Sequence, residues 1–139
     1  MSDDQKMRAF FSNDRFAALA GIEVVSCGKG YCLCRMKVEE KHLNAVNVIQ
    51  GGAIFTLADS AFAIASNSRG QMALAVHADI SFIASRSAGI LYAEAREVAD
   101  PRRLGFYEVK VTDQDDETVA RFSGMVYRKN QALNLDEKM

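Results

Sequence analysis

Residues 51–68 read Gly51-Gly52-Ala53-Ile54-Phe55-Thr56-Leu57-Ala58-Asp59-Ser60-Ala61-Phe62-Ala63-Ile64-Ala65-Ser66-Asn67-Ser68. The stretch is rich in alanine and lacks proline, and nearly every side of the helix it would form is apolar. A helix that is apolar on most of its surface is buried on most of its surface. The polar run Asn67 to Gly70 ends it. The chain has 139 residues, 49% hydrophobic and 25% charged, which is one domain's worth. Its only long helix therefore sits inside that domain and needs a wrapper.

The flanking sequence supplies the wrapper. Before the helix, Ile22-Glu23-Val24-Val25, a Gly28-Lys29-Gly30 turn and an alternating run from Tyr31 to Val38 predict a hairpin. After it, Leu74, Val76, Ala78, Ile80, Phe82 and Ala84 mark one face of a long strand. Gly89 to Val98 follows with Leu91, Ala93 and Ala95 on one side, then Phe106 to Thr112 with Tyr107, Val109 and Val111, then Val119 to Arg128. Asp100-Pro101 and the acidic run from Asp113 to Glu117 are turns. Short connections predict an antiparallel sheet, and a sheet that covers one helix must curl. The small inward residues leave room for the helix body. At the amino end, Met7, Phe10 and Phe11 form a short helical stripe. Ser12 and Asn13 are placed to cap a second turn carrying Phe16, Leu19 and Ala20, with Gly21 as its stop. The prediction is an α+β fold over residues 1–139 as a single domain. One long buried helix is wrapped by a curled antiparallel sheet of about six strands, preceded by short helices.

Composition narrows the function. Seventeen basic and eighteen acidic residues give a net charge of −1, with no block of like charge. A nucleic-acid binder normally carries a basic face, so no nucleic-acid partner is expected. No apolar run approaches the length of a membrane span, and the opening MSDDQKMR does not read as a secretory signal. Cys27, Cys32 and Cys34 are odd in number, which fits reduced thiols and a cytoplasmic location. Cys32 and Cys34 share a strand face and read as small apolar residues. No metal site is expected, because no third ligand has the right spacing.

The chemistry concentrates in His42-Leu43-Asn44-Ala45-Val46-Asn47-Val48-Ile49-Gln50-Gly51-Gly52 and in Asp59. Gly51 and Gly52 open the helix, where the first N–H groups have no intrahelical partner. Lacking side chains, they allow another molecule to approach, and the helix dipole favours an oxyanion there. The same glycines would also suit a tight loop-to-helix packing. Asp59 sits among apolar residues, and a buried carboxylate is costly unless paired or used. It also belongs to a weakly polar stripe with Thr56, Ser60, Ala63 and Asn67, which reads equally as a solvated edge. His42 and His77 read as structural. Arg102, Arg103, Arg128 and Lys129 read as scattered basic residues at strand ends. No G-x-S-x-G elbow is present.

Taken together, three segments carry a resemblance. They are His42-Leu43-Asn44, Gln50-Gly51-Gly52, and Leu57-Ala58-Asp59-Ser60-Ala61-Phe62-Ala63. Three later segments extend it: Ala78-Asp79-Ile80-Ser81-Phe82, Leu104-Gly105-Phe106-Tyr107-Glu108-Val109 and Val119-Ala120-Arg121-Phe122-Ser123-Gly124. The chain resembles the hotdog-fold thioesterases of the PaaI (phenylacetyl-CoA) type over roughly residues 7–129. The family pattern is H-x-N, then H-G-G, then a helix with L-A-D near its middle. The resemblance implies hydrolysis of an aryl- or medium-chain acyl-CoA to free acid and coenzyme A, without cofactor. It implies Asp59 as nucleophile or general base, the Gly51 amide as the group that polarises the thioester carbonyl, and Asn44 as a positioning residue. Gln50, Gly52, Ser60 and Ala75 are the implied substrate contacts. Two departures stand out: Gln50 replaces the family histidine and cannot share a proton, and Ala75 stands where some relatives carry a polar residue.

A non-catalytic acyl-CoA sensor or carrier is the alternative on the same fold, but it would have no need of Asp59, Asn44 and Gly51 together. A hotdog dehydratase would need a histidine five residues after Asp59, where this chain has Ile64. Helix geometry adds a constraint. Gly51 and Asp59 are eight residues apart, so roughly 12 Å along the axis. Both groups must lie within about 3 Å of the reacting centre. Two sites shared across a two-fold axis are therefore expected, in a dimer or a dimer of dimers.

Overall fold

The computed structural model describes residues 2–133. Helix α1 (Asp3–Phe11) starts with a capping box between Ser2 and Gln5. Helix α2 (Arg15–Ala20) is capped by Asp14, whose carboxylate accepts from the Ala17 N–H at 3.0 Å, so neither Ser12 nor Asn13 is its cap. Gly21 ends it at φ 79°, the left-handed conformation that glycine adopts without strain. The hairpin follows as β1 (Ile22–Gly28) and β2 (Tyr31–Lys37). After a short 3-10 turn at Glu40–His42 and a loop comes helix α3 (Gly51–Asn67). Strands β3 (Gln71–Phe82), β4 (Ile90–Ala99), β5 (Leu104–Thr112) and β6 (Thr118–Ala132) complete the order.

All six strands form one antiparallel sheet in the order β1-β2-β4-β5-β6-β3, with α3 against its inner face. This is the hotdog arrangement. Strand β3 does not pair with β4, its neighbour in sequence. The helix carries the chain across, and β3 forms the far edge beside β6. Cys32, Cys34, Met36, Leu91, Ala93, Ala95, Tyr107, Val109 and Val111 are buried on the inner face. Leu57, Ala58, Ala61, Phe62 and Ala65 of α3 meet them. The Phe62 ring packs edge-on to Tyr107 at 5.7 Å and against Phe122 at 5.4 Å. Gly124 makes room for it, since a Cβ there would lie 2.6 Å from the ring.

The alternation expected for residues 74–84 is interrupted. Ala75 pairs with Val126 and His77 with Met125, so Val76 is an extra residue in a bulge. The bulge inverts the parity. Ala73 and Ala75 share the inner face with Ala78, Ile80 and Phe82, whereas Leu74 lies on the opposite face. A single inserted residue exchanges the two faces of a strand, and period-two reading cannot register it.

Candidate active site

The start of α3 is built by its loop. Asn44 accepts through Oδ1 from the Val46 N–H at 2.9 Å and the Val48 N–H at 3.3 Å. The Gln50 N–H donates to the His42 carbonyl at 2.8 Å. Asn44 thus holds the loop with its oxygen. His42 is buried with both ring nitrogens engaged: Nδ1 accepts from the Glu39 N–H at 2.9 Å and Nε2–H donates to the Ala20 carbonyl at 2.7 Å. It ties the loop to α2. Among the described residues, the N–H groups of Gly51 and Gly52 meet no acceptor.

The space over these glycines is partly taken. A Cβ on Gly51 would lie 3.0 Å from the Phe82 ring, and one on Gly52 would lie 2.9 Å from the Gln50 side-chain oxygen. Close packing under the Phe82 ring therefore bears on Gly51, whereas the Gln50 side chain over Gly52 can swing aside; both amides stay free. Gln50 and Gly52 line a cleft of about 400 Å³ with Phe16, Leu19, His42 and Thr56.

Asp59 lies about two turns further along α3. It is half-buried and, among the described residues, has no hydrogen-bond or ion-pair partner. Burial pushes its carboxyl above the ordinary value, and the nearby charge of Asp14 adds to this. It lines a mostly apolar cavity of about 330 Å³ with Phe10, Ala63, Met72, Ala75 and Val126. Ser60 is turned elsewhere: it is buried and donates to the Thr56 carbonyl at 2.8 Å. One chain therefore brings Asp59 and Ala75 together, and brings Gln50 and Gly52 together, in separate cavities.

Arg128 is not a surface residue at a strand end. It is buried, donates to the Leu104 carbonyl at 2.9 Å and the Tyr107 hydroxyl at 3.2 Å, and ion-pairs with Asp100. Tyr107 in turn bonds Glu97 at 3.1 Å, and burial pushes its hydroxyl up to about 12. The signal was in the pattern, because Arg128 shares its parity with the buried Val126 and Gly124. Cys32 and Cys34 are buried thiols 3.7 Å apart. Their contact, with burial, raises Cys32 far above the usual thiol range. Among the described residues no cluster could hold a metal, and no helix is long and apolar enough to cross a membrane.

The profile of the Thioesterase superfamily matches residues 47–120, from the loop before α3 into β6. The chain belongs to the thioesterase superfamily. It is a thioester hydrolase of the PaaI type. The acyl-coenzyme A thioesterase PaaI of Escherichia coli is 35% identical over 125 residues, covering 89% of each chain. The structure of that PaaI superposes with a TM-score of 0.89 at 33% identity, over 96% of this chain and all of the other. Human acyl-coenzyme A thioesterase 13 is 31% identical over 99 residues, 69% of this chain and 71% of its own. The protein smu.793 of Streptococcus mutans, solved bound to acetyl CoA, matches with a TM-score of 0.77 at 28% identity, over 81% and 91% of the two chains.

Proposed function

We propose that this thioesterase, as one domain over residues 1–139, hydrolyses aryl- or medium-chain acyl-CoA at two sites per dimer. The observation that carries the reading is Asp59: an unpaired, half-buried carboxylate facing an apolar cavity next to Ala75. The Gly51 N–H of one subunit donates a hydrogen bond to the thioester carbonyl oxygen, and Asp59 of the other subunit drives the attack. As general base, Asp59 takes a proton from water while the oxygen of that water bonds to the carbonyl carbon. As nucleophile, it forms an anhydride that water then opens. In either course the carbon–sulfur bond breaks, the coenzyme A sulfur leaves with the electron pair, and it is protonated. Asn44, its oxygen held by the loop, has amide hydrogens left to position substrate or water. Gln50, Gly52, Ser60 and Ala75 are the proposed substrate-contacting positions, with the Ser60 hydroxyl engaged by its own helix.

A second copy is supported by strand β3. It is a sheet edge twelve residues long, and Leu74, Val76, Phe82 and the adjoining Ile83 are each at least half exposed. An unpaired edge with exposed apolar residues is a template for another chain. Three free thiols support the cytoplasm as its compartment.

The test has two stages. Purified protein is assayed against a panel of aryl- and medium-chain acyl-CoA esters with a thiol-trapping dye, without added metal. Release of coenzyme A is expected; saturable binding without release would assign the protein to an acyl-CoA sensor or carrier. Asn44→Ala and Asp59→Asn, each impaired alone, are then unfolded, mixed and refolded. Random reassortment of equal amounts rebuilds about a quarter of the sites with both wild-type groups. Activity no higher than that of the separate variants, with mixed dimers demonstrated, would overturn the shared site.

A further inference from the structure

The start of α3 has no side-chain cap: the Gln50 side chain bonds none of the first helical N–H groups. Two backbone bonds just ahead of the helix hold it instead. The Gln50 N–H is held by the His42 carbonyl, and the Ile49 N–H donates to the Arg86 carbonyl at 2.8 Å. Ile49 is buried. Arg86 belongs to the connection between β3 and β4, residues 83–89, which is neither helix nor strand. That connection leaves β3 at Phe82, whose ring lies over Gly51. An irregular segment thus borders the start of α3 twice, once through a ring and once through a carbonyl.

The Arg86 side chain anchors that segment from the other side. Its Nε donates to the Asp113 carboxylate at 2.9 Å and its Nη2 to the Glu117 carboxylate at 2.8 Å, while Nη1 donates to the Ser85 carbonyl at 2.8 Å. Asp113 is buried, and its second oxygen accepts from the N–H groups of Asp115 at 2.9 Å and Glu117 at 3.0 Å. It is therefore part of the rigid turn between β5 and β6. One residue joins two distant parts: the Arg86 carbonyl faces the helix start, and its guanidinium grips the turn. Exposed ion pairs add little stability. Charge-assisted bonds from a planar guanidinium to fixed carboxylates nevertheless set direction as well as distance.

We infer that Arg86, gripped by Asp113, is a positioning residue for thioester hydrolysis: its carbonyl holds the Ile49 N–H and so sets the aim of the Gly51 N–H two residues on. The inference rests on the proposed role of that N–H as donor to the thioester carbonyl oxygen. A donor of this kind works from about 2.7–3.1 Å. A misplacement of about 1 Å costs up to about a hundredfold in rate. Gly51 has no side chain through which its own aim could be fixed, so the aim depends on the backbone ahead of it. Arg86 acts through that backbone and takes no part in bond making.

The test uses Arg86→Met, which keeps the length and loses every donor, and Asp113→Asn. The asparagine oxygen still accepts from the turn, so this second variant folds even where the first is impaired. Arg69→Met, which breaks an ion pair with Glu97 beyond the other end of α3, is the control. In both test variants kcat should fall roughly tenfold with KM within about twofold, because the donor's aim matters most in the transition state. The control should match the wild type. Two further readouts separate aim from fold. Hydrogen exchange at the Ile49 amide should quicken roughly tenfold in the test variants and not in the control. The carbonyl stretch of bound phenylacetyl-CoA or hexanoyl-CoA, labelled at the carbonyl carbon, is then recorded in Asp59→Asn, where turnover is slow. A donor at the oxygen lowers that frequency relative to the free ester, and adding Arg86→Met or Asp113→Asn should return it towards the free value. A lowered frequency that neither substitution alters would overturn the role of Arg86 and leave Gly51 in place. Unchanged exchange at Ile49 would overturn it as well. A bound ester with no lowering while Arg86 is intact would sink the Gly51 reading, and the positioning role with it.

Discussion

The middle of the sheet and its β3 edge are built to different standards. Along β2 and β5, and along β4 as far as Ala95, buried residues alternate with more exposed ones, and the buried ones join one core with α3. Along β3 only Ala73 is buried, and apolar residues are exposed on both faces. The middle completes its core within one chain. The edge does not, and it is the edge that carries Ala75 beside Asp59 and lays Phe82 over Gly51. Stability is concentrated in one part and unfinished surface, with the candidate chemistry, in the other. Sites that bind and react are commonly less well packed than the scaffold that holds them.

Breaking the first part should produce the largest effect. Phe62→Ala removes a ring that is 1% exposed and packed against Tyr107 and Phe122. The expected cost is about 3–5 kcal/mol, read as a lower denaturation midpoint in urea. A loss below about 1 kcal/mol would mean that the inner face is not packed as described.

Asp59→Asn tests the other part. The amide keeps the shape and removes both nucleophile and base. Turnover should fall at least roughly a hundredfold, about 2.7 kcal/mol of barrier. The urea midpoint should not fall, because the substitution removes an unpaired buried charge. A stability loss comparable with that of Phe62→Ala would make Asp59 a structural residue.

Val76→Lys comes next in size. Val76 is the bulged residue, 55% exposed at the free edge. A lysine there adds a like charge on each side of a β3–β3 contact and should weaken the dimer about tenfold or more, measured by sedimentation at graded concentrations. Unfolding of the separated chain should barely change. An unaltered dimer would move the interface away from β3.

The same division governed what could be read in the sequence. Buried positions of β2, β4 and β5 follow from period two, and α3 from its apolar surface, because tertiary packing there agrees with local pattern. The bulge at Val76 has no local signature, so half of β3 was assigned to the wrong face. Arg128 was misread because a charged residue suggests solvent, although its parity placed it inside with Val126. Asp59 and Gly51 could be singled out from residue type and the resemblance. The Asp14 cap depends on where the chain turns, which spacing alone does not encode.

The smallest expected effect is a pH dependence at Asp59. Burial first, and Asp14 second, raise its carboxyl above the ordinary 3.8. A raised carboxyl binds its proton more tightly in the folded state than in the unfolded one. Folding is therefore favoured below 3.8, and that advantage is lost as pH rises through the raised value, where the buried charge must be carried. Asp59→Asn cannot ionise. Its Tm should exceed that of the wild type at pH 7, and the difference should shrink to nothing as pH falls below 3.8. Turnover by the wild type should move the opposite way, because only the carboxylate serves as base or nucleophile. It should rise with pH through the same raised value and then level off. Thermal scans and initial rates across one buffer series measure both curves. If Asp59 governs both, the pH at which turnover reaches half its plateau will coincide with the pH at which the Tm difference levels off. Separate midpoints would assign the rate profile to another group.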